Sequence, residues 1–200
     1  MRKYSPDSGD PYLDPDTGIL RNLVGAITEE RLELLEGTLV SARAYELALD
    51  PEAGSFDLAH LQRFHRRLFQ DVYEWAGQLR IVEITKGSTI FARRDAIERA
   101  AATLFEQLGH EHHLRGLDPM LFSARAGYFL GEINVLHPFR DGNGRTQRAF
   151  VGQLAEVSGY RINWDAMARE DVVRASIAAY NGNSIPMAQL VENSLSDFSR

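Results

Sequence analysis

The sequence predicts an all-α fold, a compact helical bundle that carries one β-hairpin. Two observations lead there. Apolar residues recur at spacings of three and four in one run after another, and β-branched residues gather around a turn signal at a single place. With 200 residues, 44% of them apolar, the chain is long enough to bury one sizeable core and short for two.

The elements follow in order. Residues 1–27 are rich in Pro, Asp and Gly and predict an arm that orders on docking. Thr28, with Glu29 and Glu30 at the positive end of a helix dipole, opens a helix with Leu32, Leu35 and Leu39 at helical spacing. Leu58, Leu61, Phe64, Leu68, Val72 and Trp75 mark the buried face of a second helix, which stops at Gly77. RIVEITKGSTIFA, residues 80–92, flanks Lys86-Gly87-Ser88 with β-branched residues and is the hairpin. A lone two-stranded ribbon is marginal in water, so it must lean on helices or receive a partner strand.

Asp95 precedes a helix with Ile97, Ala101, Leu104, Phe105 and Leu108 on one face, closed by Gly109. Asp118-Pro119 is an N-cap and first-turn signature for a helix through Leu121, Ala124, Tyr128, Ile133 and Leu136. Pro138 disfavours helix at His137, which therefore sits where a buried helix becomes a loop. A further helix follows Gly144 and ends near Gly159, and two more cover about 168–180 and 186–197. The expected organisation is an arm and first helix over 1–55, a core over 56–182 and a C-terminal helix over 183–200.

Composition excludes several function classes. A net charge of −6 and a pI near 5.5 argue against a protein that coats nucleic acid by bulk charge, so any anion site must be local and no direct nucleic-acid partner is expected. The absence of cysteine excludes disulfides, thiolate nucleophiles and cysteine-ligated metals. The start lacks the apolar run of a secretory signal, and nothing approaches the roughly 20 apolar residues of a membrane span. The expected location is the cytoplasm, with no membrane partner. GHEHH at 109–113 lacks the second zinc-protease histidine, since position 114 is Leu114, and no P-loop motif occurs.

The chemistry concentrates in HPFRDGNGRTQR, residues 137–148. Gly142, Asn143 and Gly144 let backbone amides approach an anion at a helix N-terminus, the arrangement of a phosphate cradle. Arg145 and Arg148 lie three apart on one helix face, where guanidinium forks can hold phosphate oxygens. Asp141 offers the hard carboxylate oxygen that Mg²⁺ takes alongside phosphates and water. His137 can accept a proton from an attacking hydroxyl. One such residue alone would indicate a tight turn or a core histidine; six compatible groups in twelve positions indicate a nucleotide-dependent transferase.

This segment resembles the signature of the Fic-domain family: HPF, any residue, Asp or Glu, GN, Gly or Lys, then Arg. EWAGQLR at 74–80 and ITKGSTIF at 84–91 are similar to the family's approach to its flap hairpin, so the resemblance covers about residues 56–182. It implies a compact helical core and transfer of AMP from ATP, with Mg²⁺, to a hydroxyl of a target protein. By that resemblance His137 is the base and Asp141 the Mg²⁺ ligand. Gly142, Asn143 and Gly144 cradle the α and β phosphates, and Arg145 and Arg148 hold the β and γ phosphates. Phe139 anchors the loop by packing. The hairpin at 80–92 resembles the flap that receives a target segment by strand addition. Lys86, Gly87 and Thr89 at its tip are candidates for nucleotide contact, with surface solvation of Lys86 the alternative. AYNGN at 179–183 nominates Asn181 for the nucleoside, with a plain helix C-cap as the alternative.

DPYLDPDTGILRNLVG, residues 10–25, resembles the N-terminal motif of Fic toxins held by a small antitoxin. That antitoxin's helix inserts Ser/Thr, three residues, Glu, Gly/Asn, its glutamate pairing with the second arginine, here Arg148. Glu36-Gly37 follows Leu32 and Glu192-Asn193 follows Ala188, so both near matches lack the hydroxyl. Inhibition is thus expected from a separate chain, with Glu192 leaving self-inhibition open. The end at Arg200 leaves no room for a secretion domain, which favours the toxin branch and, by resemblance, the ATPase subunits of DNA gyrase and topoisomerase IV as targets. The rivals are another Fic chemistry, with phosphate, UMP or phosphocholine transferred, and a nucleotide-binding interaction module.

Overall fold

A computed structural model describes residues 9–87 and 89–198. The expectations placed on residues 1–8 of the arm, on Ser88 at the flap tip and on residues 199–200 lie outside the described residues. Seven α-helices run in order: α1 Glu29–Leu49, α2 Leu58–Phe69, α3 Ile97–His110, α4 Pro119–Leu136, α5 Asn143–Val157, α6 Arg169–Tyr180 and α7 Ile185–Asn193. Four short strands, β1 Thr85–Lys86, β2 Thr89–Ile90, β3 Tyr160–Ile162 and β4 Leu195–Asp197, and three 3₁₀ turns, Arg94–Ala96, His112–Leu114 and Trp164–Ala166, complete the described elements. The all-α expectation is met. Among the described residues no helix is long and apolar enough to cross a membrane.

α4 is the axle. It is the most apolar of the helices, and nine of its residues from Phe122 to Leu136 are buried. Two glycines let neighbours approach closely. A Cβ at Gly127 would stand 2.5 Å from the Ala188 backbone nitrogen of α7, and one at Gly131 would stand 2.8 Å from the Ala179 Cβ of α6. Asp118 caps α4 through the Leu121 N–H at 2.9 Å, with Pro119 in the first turn, as the sequence signature predicts. Thr28 caps α1 through Arg31 N–H, and Asp57 caps α2 through His60 N–H.

Several elements depart from expectation, each for a physical reason. Residues 9–27 of the arm pack on the body of the chain and contribute to its core. Tyr12, Ile19 and Ala26 are buried, Leu13 bridges Leu20, and the Leu23 N–H donates to Val72 O at 2.8 Å. α2 ends at Phe69 rather than near Gly77, yet Val72 and Trp75 stay buried because the following turns keep them against the core. On α1 the buried stripe is Leu32, Glu36, Val40 and Leu47, while Leu35 and Leu39 are only half-buried.

The flap ladder is far shorter than residues 80–92. It pairs only Thr85 with Ile90 and Lys86 with Thr89; its flanks are fastened to the body by side chains, as described below. The last helix stops at Asn193 instead of 197, because the chain turns to pair Leu195–Asp197 with Tyr160–Ile162. That second ribbon joins strands separated by α6 and α7, so it is a pairing the sequence did not predict and not a second hairpin. It satisfies backbone groups that a frayed helix end would leave open.

The close α4–α7 approach yields a test. Gly127→Ala should destabilise the fold by about 1–3 kcal/mol through overpacking, measured as a lowered urea midpoint at unchanged slope. A stability equal to that of the parent protein would mean α7 has room to move away.

Candidate active site

The loop between α4 and α5 is where the sequence concentrates its chemistry, and the structure shows how it is held. His137 leaves α4 in a left-handed conformation, φ 43°, as the following proline requires the helix to end. Its ring stacks on Phe91 of the flap with centroids 3.7 Å apart. Its Nδ1 lies 3.0 Å from Asn134 O, which places the proton on Nδ1 and the lone pair on Nε2. Burial pushes its pKa down to about 3, so the imidazole is neutral at physiological pH.

Arg80 fastens the flap to this loop. Its side chain is wholly buried, and its backbone N–H donates to Pro138 O at 2.9 Å. Its guanidinium donates to His137 O at 2.8 Å, to Val82 O at 2.8 Å and to Ala92 O. The Ala92 N–H in turn donates to Val135 O. Both flanks of the flap are thereby tied to the end of α4.

From below, His65 of α2 supports the loop. Gly77 N–H donates to its Nδ1 at 2.8 Å, and its Nε2–H donates to Asp141 O at 2.9 Å. The ring is sandwiched between Phe69 and Phe139, and burial lowers its pKa to about 4, which keeps that single-proton relay in place. From the side, Arg140 forms a buried ion pair with Asp10 of the arm, Nη2 to Oδ2 2.8 Å. The arm is therefore part of the loop's support.

The nominated residues divide into two groups. Lys86, Gly87, Thr89, His137, Gly142, Gly144, Arg145 and Arg148 line one cavity of about 520 Å³, together with Phe91, Asn134, Gln147 and four residues of α6, Val172, Val173, Ser176 and Ile177. Asn143, Asp141 and Asn181 are placed differently. The Asn143 side chain accepts from Phe139 N–H at 2.9 Å and donates to Phe139 O at 2.7 Å, closing the loop from within. Asp141 is buried at the head of the loop, one oxygen accepting Gly142 N–H. Asn181 lies outside the cavity lining; it caps α6 and its amide donates to Ile177 O at 3.0 Å. Phe139 packs against His65, as its anchoring role requires.

The two glycines of the cradle do different work. Gly142 has φ 79° and a Cβ there would stand 2.4 Å from Phe69 Cζ, so the turn itself demands glycine. At Gly144 a Cβ would find only Arg148 Nη1, at 3.7 Å; the position is open to the cavity. The first-turn N–H groups of α5 have no intrahelical acceptor and give this end of the cavity its positive potential.

The two arginines also differ. Arg145 donates to Glu36 of α1 and lies over the Phe69 ring at 4.7 Å. Arg148 makes no hydrogen bond or ion pair among the described residues, and burial lowers its pKa, with Arg145 adding repulsion. It is the cation of the pair most available to an incoming anion. Arg145 and Arg148 also border a second cavity of about 560 Å³, floored by Gly37, Ser41, Ala44 and Ala48 of α1 and walled by Phe64, Leu68, Gly152 and Trp164.

Sequence reasoning missed Arg80, Phe91, His65, Asp10, Glu36 and the α6 wall. His65 and Glu36 carried a usable signal, each a polar residue on an otherwise apolar helical stripe. The α6 residues carried none, since nothing local marks them as cavity wall.

The family model described as Fic/DOC family matches residues 55–155. This chain belongs to the Fic/DOC family. The Fic protein is 49% identical over 198 residues to Protein adenylyltransferase VbhT of Bartonella schoenbuchensis, an alignment covering 99% of this chain and 41% of VbhT, so it spans about two fifths of that relative. It is 40% identical over 161 residues to the Probable protein adenylyltransferase Fic of Escherichia coli, covering 80% of each. Its fold superposes with a TM-score of 0.87 on the N-terminal Fic domain of a VirB-translocated Bep effector protein from Bartonella quintana with bound ADP, at 29% identity over 94% of this chain and 95% of the other. The same TM-score of 0.87 relates it to the BepC protein of Bartonella tribocorum with bound AMPPNP, at 26% identity over 95% of this chain and 98% of the other.

The glycine contrast yields a test. Gly144→Ala should fold with unchanged thermal stability and bind ATP about tenfold or more weakly by calorimetry, because the methyl enters the cradle. Gly142→Ala should lower stability by about 1–3 kcal/mol through strain and the Phe69 clash. Equal effects of the two on stability would contradict the division.

Proposed function

We propose that this Fic protein is an adenylyltransferase that moves AMP from ATP onto a hydroxyl side chain of a target protein. One observation carries the proposal: a neutral imidazole with its lone pair on Nε2 shares a cavity with an open helix N-terminus and two arginines. The adenylyltransferase names of its relatives and the nucleotides bound to its structural neighbours support it.

His137 Nε2 takes the proton of the target hydroxyl as that oxygen bonds to the α phosphorus. The bond from that phosphorus to the bridging oxygen breaks, and pyrophosphate leaves. The open Cβ space at Gly144 admits the phosphates to the α5 N–H groups, and Arg148 meets the distal phosphates from the cavity wall. Val172, Val173 and Ile177 supply an apolar wall for the nucleoside.

Among the described residues no group of three or more His, Cys, Asp or Glu gathers to hold a metal. Asp141, buried at the head of the loop, would be the carboxylate that holds a divalent cation beside the nucleotide, the mode in which Mg²⁺ is held by one carboxylate and phosphates. Bound there, Mg²⁺ would supply charge neutralisation to the triphosphate.

The flap edge, held rigid at both flanks by Arg80, is our choice for the target's docking strand. The arm motif at residues 10–25 favours the toxin branch, acting in the cytoplasm on the ATPase subunits of DNA gyrase and topoisomerase IV. The second cavity supports an antitoxin partner. Its floor of small residues on α1 accepts a helix at close range, and Arg148 at its border meets the inserted glutamate.

Two measurements test the proposal. With ATP labelled on the α phosphate and lysate, His137→Ala should lose label transfer by about 100-fold or more while ATP binding persists; equal labelling would remove His137 as base. A synthetic helix carrying the Ser/Thr, three residues, Glu, Gly/Asn motif should suppress labelling and shift Trp164 emission. Its Glu→Gln counterpart should shift the emission without suppressing labelling, and equal suppression by both would argue against the pairing with Arg148.

A further inference from the structure

Glu36 occupies a position where physical chemistry argues against a carboxylate. It stands on the buried stripe of α1 between Leu32 and Val40, and it is 9% exposed. An isolated buried carboxylate is strongly unfavourable, so its partners account for its presence. One oxygen accepts from Arg145 Nη2, across 109 residues of sequence. The other accepts from the Tyr73 hydroxyl, whose pKa burial pushes up, so it remains a donor at every physiological pH. The Arg145 guanidinium is further held over the Phe69 ring.

We infer that Glu36 is a positioning residue for the nucleotide site: with Tyr73 and Phe69 it fixes the Arg145 guanidinium at the cavity wall before the triphosphate arrives. The inference rests on the nucleotide reading of that cavity. Arginine has five N–H donors in a planar fork, and committing Nη2 to Glu36 leaves the other nitrogens oriented rather than mobile. An arriving phosphate cannot displace Glu36 without stranding a buried carboxylate. It must share the guanidinium instead, and a shared, immobilised cation binds without the loss of rotamer freedom that a solvated arginine incurs. Glu36 touches no reacting atom and acts through Arg145 alone.

A double-mutant cycle read by calorimetric titration of the full chain with Mg-ATP tests this. Glu36→Gln keeps the shape and removes the charge; it should weaken ATP binding about tenfold. Arg145→Gln should weaken it by at least as much, and adding Glu36→Gln to Arg145→Gln should change nothing further. Should Glu36→Gln fail to fold, Tyr73→Phe replaces it in the cycle, with a loss of about two- to threefold that also vanishes beside Arg145→Gln. Tighter ATP binding by Glu36→Gln would make the carboxylate a competitor of phosphate and overturn the inference. So would unchanged binding, or an equal loss with and without Arg145. Arg148→Gln separates this from the underlying reading: if it binds ATP like the parent protein, the cavity is not the nucleotide site, whereas weakened Arg148→Gln beside unaffected Glu36→Gln removes only the role given to Glu36.

Discussion

The site depends on one buried guanidinium. Arg80 has its side chain out of water and spends its donors on backbone carbonyls that belong to three segments: the flap's two flanks and the end of α4. Each carbonyl it satisfies would otherwise be a buried acceptor with a cost of about 1–3 kcal/mol. Because these acceptors are main-chain groups, Arg80 fixes backbone positions rather than side-chain rotamers. That is why a two-residue ladder, too short to persist alone, presents a defined edge. It is also why Phe91 meets the His137 ring face to face.

Around this anchor the loop is held from every side by groups remote in sequence. His65 carries a hydrogen bond from Gly77 through to Asp141, and Asp10 clamps Arg140. Asn143 bonds both polar groups of Phe139. The signature is thus read twice. Phe139, Arg140 and Asn143 hold the loop's shape, while His137, Gly144 and Arg148 face the cavity. A long motif in which only some of the residues line the cavity follows from a loop that must be rigid at a place where two buried helices diverge.

Much of the fold was legible because its signals are local. Thr28 and Asp118 cap the helices they announce, and Pro138 ends α4 at the residue before it. The cavity-lining glycines and arginines stood together in one twelve-residue stretch. What escaped was long-range. The Asp10–Arg140 pair spans 130 residues and makes a structural member of an arm whose composition resembles a tail. Glu36 looked like part of a failed inhibitory motif, and only the fold brings it to Arg145. The end of α2 was misplaced because its turns keep Val72 and Trp75 in phase with the helical pattern, so periodicity continued where hydrogen bonding had stopped.

A pKa of about 3 makes the His137 imidazole weakly basic, and the cause of that weakness bears on the role proposed for it. Burial is the largest cause, and the charges of Arg80 and Lys86 push in the same direction. All of these act against a proton on His137, and the Asn134 carbonyl and the Asp141 carboxylate offset them only in part. A bound triphosphate places several negative charges in the same low-dielectric space, where their attraction for an imidazolium is far stronger than in water. In the proposed reaction, nucleotide binding would raise the proton affinity of His137 and make the imidazole a better base when there is phosphorus for the activated oxygen to attack. Of the three arginines around the turn, Arg140 is paired with Asp10 and Arg145 with Glu36, so Arg148 is the one of them that lines the cavity without an ion-pair partner among the described residues.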